Sequence, residues 1–361
     1  MPFDTTDFPA LPGRRAASRS ARRLVATWLF SVCAMVWGLV VLGGVTRLTG
    51  SGLSIMEWAP VSGILPPLNG EDWRKLFDLY RTIPQYHLLH EGMGLDGFQR
   101  LFWLEWTHRL WGRLIGVVVF VPLVWLAATR RIDGRLVPRL LLIFVLGGLQ
   151  GAVGWFMVAS GFFPDSTSVA PARLVVHLGL ALALYVAILW TGLSVLRPVP
   201  PRPFAGSRLL RGLAAAAAAA LGLAILAGGF VAGTHAGLEY NTFPLMEGRL
   251  VPANYARLEP LWRNLTQNIA AVQFDHRLLA TAAAILASAV VAVALARPVP
   301  RPVRTGALAL GLAVLAQYAL GVATLLWVVP VPLAAAHQAN AVLALTAAVA
   351  VLHRLRPARN R

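Results

Sequence analysis

Cysteine is almost absent: Cys33 is the single one among 361 residues, so no disulfide can close within the chain and no set of thiolates can hold a metal cluster. Charge is scarce as well. Asp, Glu, Lys and Arg make up 13% of the chain, against about 25% in soluble domains, and the mean hydropathy is +0.66. That excludes an ordinary water-soluble fold. Acids are the rarer sign, 15 against 32 basic residues for a net charge of +17. The N-terminus, MPFDTTDFPALPGRRAASRSARR, lacks the short apolar core and small-residue cleavage site of a secretory signal, so the first apolar run is expected to be retained.

What fills the chain is 57% hydrophobic residues, gathered in runs near the roughly 20 residues that cross a hydrocarbon core. Eight spans are predicted, at 24–45, 106–127, 136–158, 171–195, 209–233, 272–296, 305–329 and 332–352. A basic excess can mark a nucleic-acid partner, but here its distribution argues for orientation and against nucleic acid. Arginines cluster before the first span (Arg14, Arg15, Arg19, Arg22, Arg23) and in alternate loops: Arg130, Arg131, Arg135 and Arg139; Arg197, Arg202, Arg208 and Arg211; Arg297, Arg301 and Arg304. They return in the tail at Arg354, Arg356, Arg359 and Arg361. By the positive-inside rule both termini are expected in the cytoplasm. Most acids, such as Glu71, Asp72, Glu91, Asp165 and Glu259, fall in the other loops.

The chain repeats itself. After span one it reads GGVTRLTGSGLS from Gly43, and after span five GGFVAGTHAGLE from Gly228; span two opens with EWTHRL and span six with QFDHRL. Spans four and eight each begin with a proline that leads to one histidine, His177 and His337. Four spans per half is an even number, so the halves keep one orientation as a parallel repeat. The expected fold is an all-α integral membrane protein of eight transmembrane helices in two pseudo-symmetric four-helix bundles, which build cofactor sites from facing helices. The expected divisions are a cytoplasmic tail at 1–23, an N-terminal half at 24–200, a C-terminal half at 201–353 and a cytoplasmic tail at 354–361.

His108, His177, His276 and His337 each lie about five residues into an even-numbered span, which at 1.5 Å per residue is roughly 7 Å below the outer boundary. A lone helical histidine is ordinarily a satisfied core group or an interfacial anchor, but ionisable residues inside spans usually mark function, and here the repeat supplies two matched pairs. Zinc sites want three or four protein ligands and non-heme iron a carboxylate beside two histidines. Two histidines on separate helices suit the axial positions of a heme iron. Arg109 and Arg277, each following a ligand candidate, have the reach for heme propionates and read equally as partners of lipid phosphate. His87, His90 and His353 read as surface residues.

The halves differ in one chemically telling place. Glu105 stands three residues before His108, on the same helix face, where the second half has Gln273 before His276. A carboxylate can move protons or stabilise developing positive charge, so Glu105 is the candidate catalytic residue, the first half reads as reactive and the second as an electron relay. Arg47, Thr49, Glu57 and Trp58 read as a cap on the first site or as interfacial anchors, Glu239, Tyr240 and Asn241 similarly on the second. Gln150 reads as a packing contact or a site residue, and the alanines at 214–220 as close helix packing.

Five stretches, GGVTRLTGSGLSIMEWAPVSGILPP, FWLEWTHRLWGRLIG, AGGFVAGTHAGLEYNTFPLMEGRLVP, QFDHRLLA and AAHQAN, resemble the heme A synthase family of mitochondria and proteobacteria. The resemblance runs from about Leu42 to Asn340. It implies oxidation of the C8 methyl of heme O to a formyl, through an alcohol and a hydrated aldehyde, giving heme A for cytochrome oxidase, with electrons passed by a bound heme b. Carried over by position, His276 and His337 would ligate heme b, His108 and His177 the substrate heme, and Glu105 would be the essential acid. Some bacterial relatives carry a cysteine pair in an outer loop; this chain does not. The resemblance further implies a multi-pass protein of the cell inner membrane with its hemes toward the periplasm. Its partners would be membrane lipid, a heme O synthase upstream and an electron acceptor, and Ala- and Gly-rich faces permit a homo-oligomer. The competing readings are a di-heme electron carrier of cytochrome b561 type, which needs no Glu105, and a heme transporter, from which heme would leave unmodified.

Overall fold

The computed structural model describes residues 19–199 and 202–357, so Arg14, Arg15, Arg359, Arg361 and most of the expected N-terminal tail lie outside the described residues. The described chain is helical throughout: α1 (Arg19–Leu48), α2 (Gly70–Tyr80), α3 (Pro84–Leu89), α4 (Leu95–Ala128), α5 (Val137–Val158), α6 (Pro171–Leu196), α7 (Ser207–Gly233), α8 (Asn264–Gln267), α9 (Ile269–Ala296), α10 (Arg301–Leu326) and α11 (Val331–Arg354). Among these, α1, α4, α5, α6, α7, α9, α10 and α11 are long and apolar enough to cross a membrane, the eight spans expected. Prolines at the first turns of α6, α10 and α11 start them where a missing N–H costs nothing. Asn268 caps α9 by accepting from the amides of Ala270 and Ala271.

Helix α1 packs on α4 and α6, and α5 closes the ring against both; α7 packs on α9 and α11, and α10 closes a second ring. The rings meet where α6 touches α7 and α11 and where α1 touches α11. Ala214 and Ala217 are fully buried, so the alanine run does provide close packing. Pro122 inside α4 cannot donate to the Val118 carbonyl one turn back. Trp28 Nε1 of α1 takes that orphaned acceptor at 2.8 Å, turning a helix defect into an interhelix bond.

Two expectations change. Helix α4 begins at Leu95, well before position 106, because the 49–94 segment folds back as α2 and α3 and buries Tyr80, Phe98 and Phe102 in an aromatic cluster on the helix's outer turns. Gln85 ties this layer down by donating to the carbonyls of Gly50 and Thr167 at 3.0 and 3.2 Å. His108 is therefore much farther from its helix start than His177, His276 and His337 are from theirs. His353, expected at the surface, is fully buried: Arg356 Nη1 reaches its Nδ1 at 3.0 Å, Ser194 Oγ lies 3.2 Å from its Nε2, and Trp190 packs edge-on. His90 is half-buried with its Nδ1 2.6 Å from the Tyr80 hydroxyl. Only His87 of these three is exposed.

Candidate functional site

Each of the four histidines lies against a glycine of a neighbouring helix. A β-carbon built on Gly43 of α1 would stand 3.0 Å from His108 Nε2, and one on Gly228 of α7 would stand 3.0 Å from His276 Cε1. On the other side of each ring of helices, Gly154 of α5 backs His177 at 2.9 Å and Gly321 of α10 backs His337 at 2.8 Å. At Gly154 and Gly321 a β-carbon would stand closer than real ones do, and at Gly43 and Gly228 it would require the ring to give by a few tenths of an ångström, so the imidazoles use space that glycine leaves open. These glycines, absent from the sequence-based candidates, seat the four candidate ligands.

A second recurring element lies one turn before two of them. The Gln150 amide nitrogen lies 3.1 Å from His177 Nδ1 and donates to the His177 carbonyl at 2.9 Å. The Gln317 nitrogen lies 3.2 Å from His337 Nδ1, and its oxygen accepts from Asn340 Nδ2 at 3.0 Å. Gln150 thus lies against His177, one of the candidate ligands. Gln317 was missed, although Gln150 to Gly154 and Gln317 to Gly321 share one spacing in the repeat.

His276 and His337 face each other with ring centres 6.4 Å apart and planes at 90°. Two axial imidazoles on one metal, at about 2.0 Å per metal–nitrogen bond, have centres about 6 Å apart. His276 Nδ1 donates to the Ala224 carbonyl at 3.0 Å, which leaves Nε2 free as a ligand. Among the described residues no three of His, Cys, Asp and Glu gather as a metal-ion site. The donor set, two imidazoles seated in glycine cradles, fits an iron porphyrin and not a bare ion.

The outer segment after the first helix of each half is clamped by an i, i+4 pair. In the first half Glu105, 3% exposed, accepts from Ser54 Oγ at 2.8 Å and the Ile55 amide at 2.9 Å through Oε2. Its Oε1 accepts from Arg109 Nε and Nη2 at 3.0 and 2.6 Å. Arg109 also donates to the carbonyls of Ile55 and Glu57. In the second half Gln273, equally buried, donates to the carbonyls of Ala236 and Glu239, while Arg277 donates to Gln273 Oε1, Tyr240 and Thr242. The arginine contacts to Ile55 and Glu57 recur at the matching Tyr240 and Thr242, and Ser54 is matched by Glu239; a carboxylate that collects donors in one half is an amide that supplies them in the other. The donors of Arg109 are thereby engaged within the chain, and Arg277 keeps a buried Nε without a partner among the described residues.

Of the other expected cap residues, Trp58 stacks on Trp155 with ring centres 6.5 Å apart, beside the glycine that backs His177. Asn241 donates to Gly237 and Leu325 carbonyls. Arg47 donates across the two halves to His235 Nδ1 at 3.4 Å. Burial, with the Arg47 charge adding to it, holds the His235 imidazole below its ordinary range, in keeping with an Nδ1 that accepts.

The model of the family described as cytochrome oxidase assembly protein, COX15-CtaA, matches residues 26–349. The chain is 60% identical over 337 residues to a heme A synthase of Granulibacter bethesdensis, covering 93% of this chain and 88% of the relative. It is 49% identical to the heme A synthase of Parvibaculum lavamentivorans, over 92% and 94% of the two chains. It is 47% identical to heme A synthase 2 of Acidiphilium cryptum, over 93% and 92%. The chain belongs to the heme A synthase family of cytochrome oxidase assembly proteins.

Proposed function

We propose that the chain is a heme A synthase, oxidising the C8 methyl of heme O to a formyl with the substrate held between His108 and His177. The observation that carries this reading is an inversion within the repeated site: Glu105 in the first half, Gln273 in the second, in matching slots beside matching histidines. A fixed carrier needs no such difference; a half that performs chemistry on its porphyrin does.

Glu105 accepts four hydrogen bonds, so its carboxylate is immobilised. In that position it offers negative charge to positive charge developing on the substrate, the stabilisation that preorganised groups supply best. Arg109 and Ser54 hold it, and the 51–57 segment covers it. His276 and His337, with Gln317 against the second ring, are suited to a resident heme b, which when bound supplies a reversible one-electron carrier. The arginine distribution supports cytoplasmic termini, and the histidine pairs then lie toward the periplasmic side of the inner membrane.

The test is co-expression with a source of heme O, followed by extraction and chromatography of the hemes. Heme A formed by the wild-type chain and lost in Glu105→Gln supports the reading. Heme b recovered without any heme A would favour a di-heme carrier instead.

A further inference from the structure

In Gly43 and Arg47, helix α1 presents two residues four apart, hence on one face. Gly43 backs the Nε2 of His108, so the Arg47 backbone stands one turn, about 6 Å, beyond that contact, and its guanidinium turns to the seam between the halves, against His235. It is half-buried, and among the described residues no carboxylate pairs with it; the ion pairs there are Arg81–Asp78 and Arg109–Glu105. Its hydrogen-bond neighbour is His235, which is no counter-charge. A partly buried guanidinium without an anion is an unfinished interaction.

His235 makes the arrangement more pointed. It occupies the left-handed region at φ 57°, and the position that matches it in the first half is Gly50, at φ 67°. A backbone that favours glycine thus carries an imidazole in one half only, and that imidazole is directed at Arg47 of the other half. Arginine can only donate, so His235 Nδ1 accepts and its Nε2 carries the proton. The guanidinium keeps spare N–H groups suited to a carboxylate, while His235, accepting from one of its nitrogens, holds it in place. The residue matching Arg47 in the second half is Ala232, so only the first half supplies this cation.

We infer that Arg47, held in place by His235, receives a propionate carboxylate of the porphyrin held by His108 and His177. This rests on the proposed reading of that pair as the heme O site. It also gives the propionate a partner where Arg109, adjacent in sequence to His108, has its donors committed to Glu105 and the outer segment. The pair would fix which edge of the substrate points outward, and with it which methyl meets Glu105.

The test is titration of purified protein with heme O and with its dimethyl ester, followed by Soret absorbance, for the wild type, Arg47→Gln, Arg47→Lys and His235→Gln. The expected result is that the wild type prefers the free acid by about tenfold, the scale of one charge-assisted hydrogen-bonded contact. Arg47→Gln should abolish the preference by weakening acid binding while ester binding stays unchanged; Arg47→Lys should restore part of it, and His235→Gln should reduce it. Equal affinity of the wild type for acid and ester overturns the inference, as does an Arg47→Gln protein that loses both alike, the mark of a structural role. Arg47→Gln protein that differs from the wild type only in its response to anionic phospholipid assigns the site to a lipid phosphate and overturns it too. Wild-type protein that takes up neither form removes the heme O reading itself, and this inference with it.

Discussion

Arg109 Nη2 lies 2.6 Å from Glu105 Oε1, and one repeat later Arg277 Nη2 lies 2.6 Å from Gln273 Oε1. The same reach is made to an anion in one half and to a neutral amide in the other. Whatever Glu105 contributes beyond holding its loop must therefore come from its charge.

Glu105→Gln and Glu105→Ala should accordingly fail in different ways. The glutamine variant keeps an acceptor for the loop and should fold and retain heme b, while heme A formation falls by about a hundredfold, the usual scale for loss of a preorganised electrostatic contact. The alanine variant leaves Arg109 buried without its partner and should also cost about 3 kcal/mol of stability. Extracted-heme chromatography together with thermal melting in detergent separates the two.

The glycine cradles predict a sharp positional effect. Gly154→Ala and Gly321→Ala place a methyl group against His177 and His337, and should lower heme occupancy by about tenfold, the scale of a disturbed ligand environment. Gly147→Ala and Gly148→Ala, on α5 with open space around them, should leave occupancy unchanged. The ratio of heme to protein by pyridine hemochrome reads all four.

Gln317→Ala should loosen His337 and take from Asn340 Nδ2 one of its two acceptors, Gln317 Oε1 and the Ala313 carbonyl. Retention of heme b through gel filtration should weaken by about tenfold. Gln150→Ala should leave heme b in place and weaken uptake of heme O, because its contact is with His177. If both variants affect the same heme, the division of roles between the halves is wrong.

The outer aromatic layer should respond to acid. Burial holds the His90 imidazole below its ordinary range, against the Tyr80 hydroxyl. Below the unfolded value of about 6.5 the unfolded segment binds a proton that the folded one resists, so stability present at neutral pH declines as pH falls through the folded value. Amide exchange over residues 80–90 should accelerate as pH drops below about 6, relative to the trend for exposed loops, and His90→Gln should flatten the response.

Much of the fold was legible in the sequence because a membrane leaves few options: apolar runs of the right length gave the eight spans. The four histidines and Glu105 stood out because a repeat compares a chain with itself. The glycines at 43, 154, 228 and 321 were hidden, since a glycine in an apolar span reads as packing until a neighbour's ring is seen against it. Gln317 was hidden for a related reason: its partner lies on another helix, and only alignment of Gln150–Gly154 with Gln317–Gly321 exposes the pattern. The early start of α4 and the burial of His353 were also invisible, because both depend on what a distant segment folds back to cover.

The second glycine of each GG pair has a consequence for the distance between the two histidine pairs. Gly44 of α1 leaves no room for a β-carbon against Gln338, the neighbour of His337, whose amide donates to the Val40 carbonyl at 2.7 Å. Gly229 of α7 is packed less tightly, by Val175 and Leu178 at 3.0 and 3.2 Å from where its β-carbon would stand, and these flank His177 closely in sequence. At both seams a side chain next to a site residue beds directly on the other half's backbone, with no intervening group that could grow, shrink or swing. The spacing of the sites is set like that of two machined faces bolted without a gasket: sequence drift at the lipid surface cannot alter it, and any exchange between the sites that is steep in distance is held to one value.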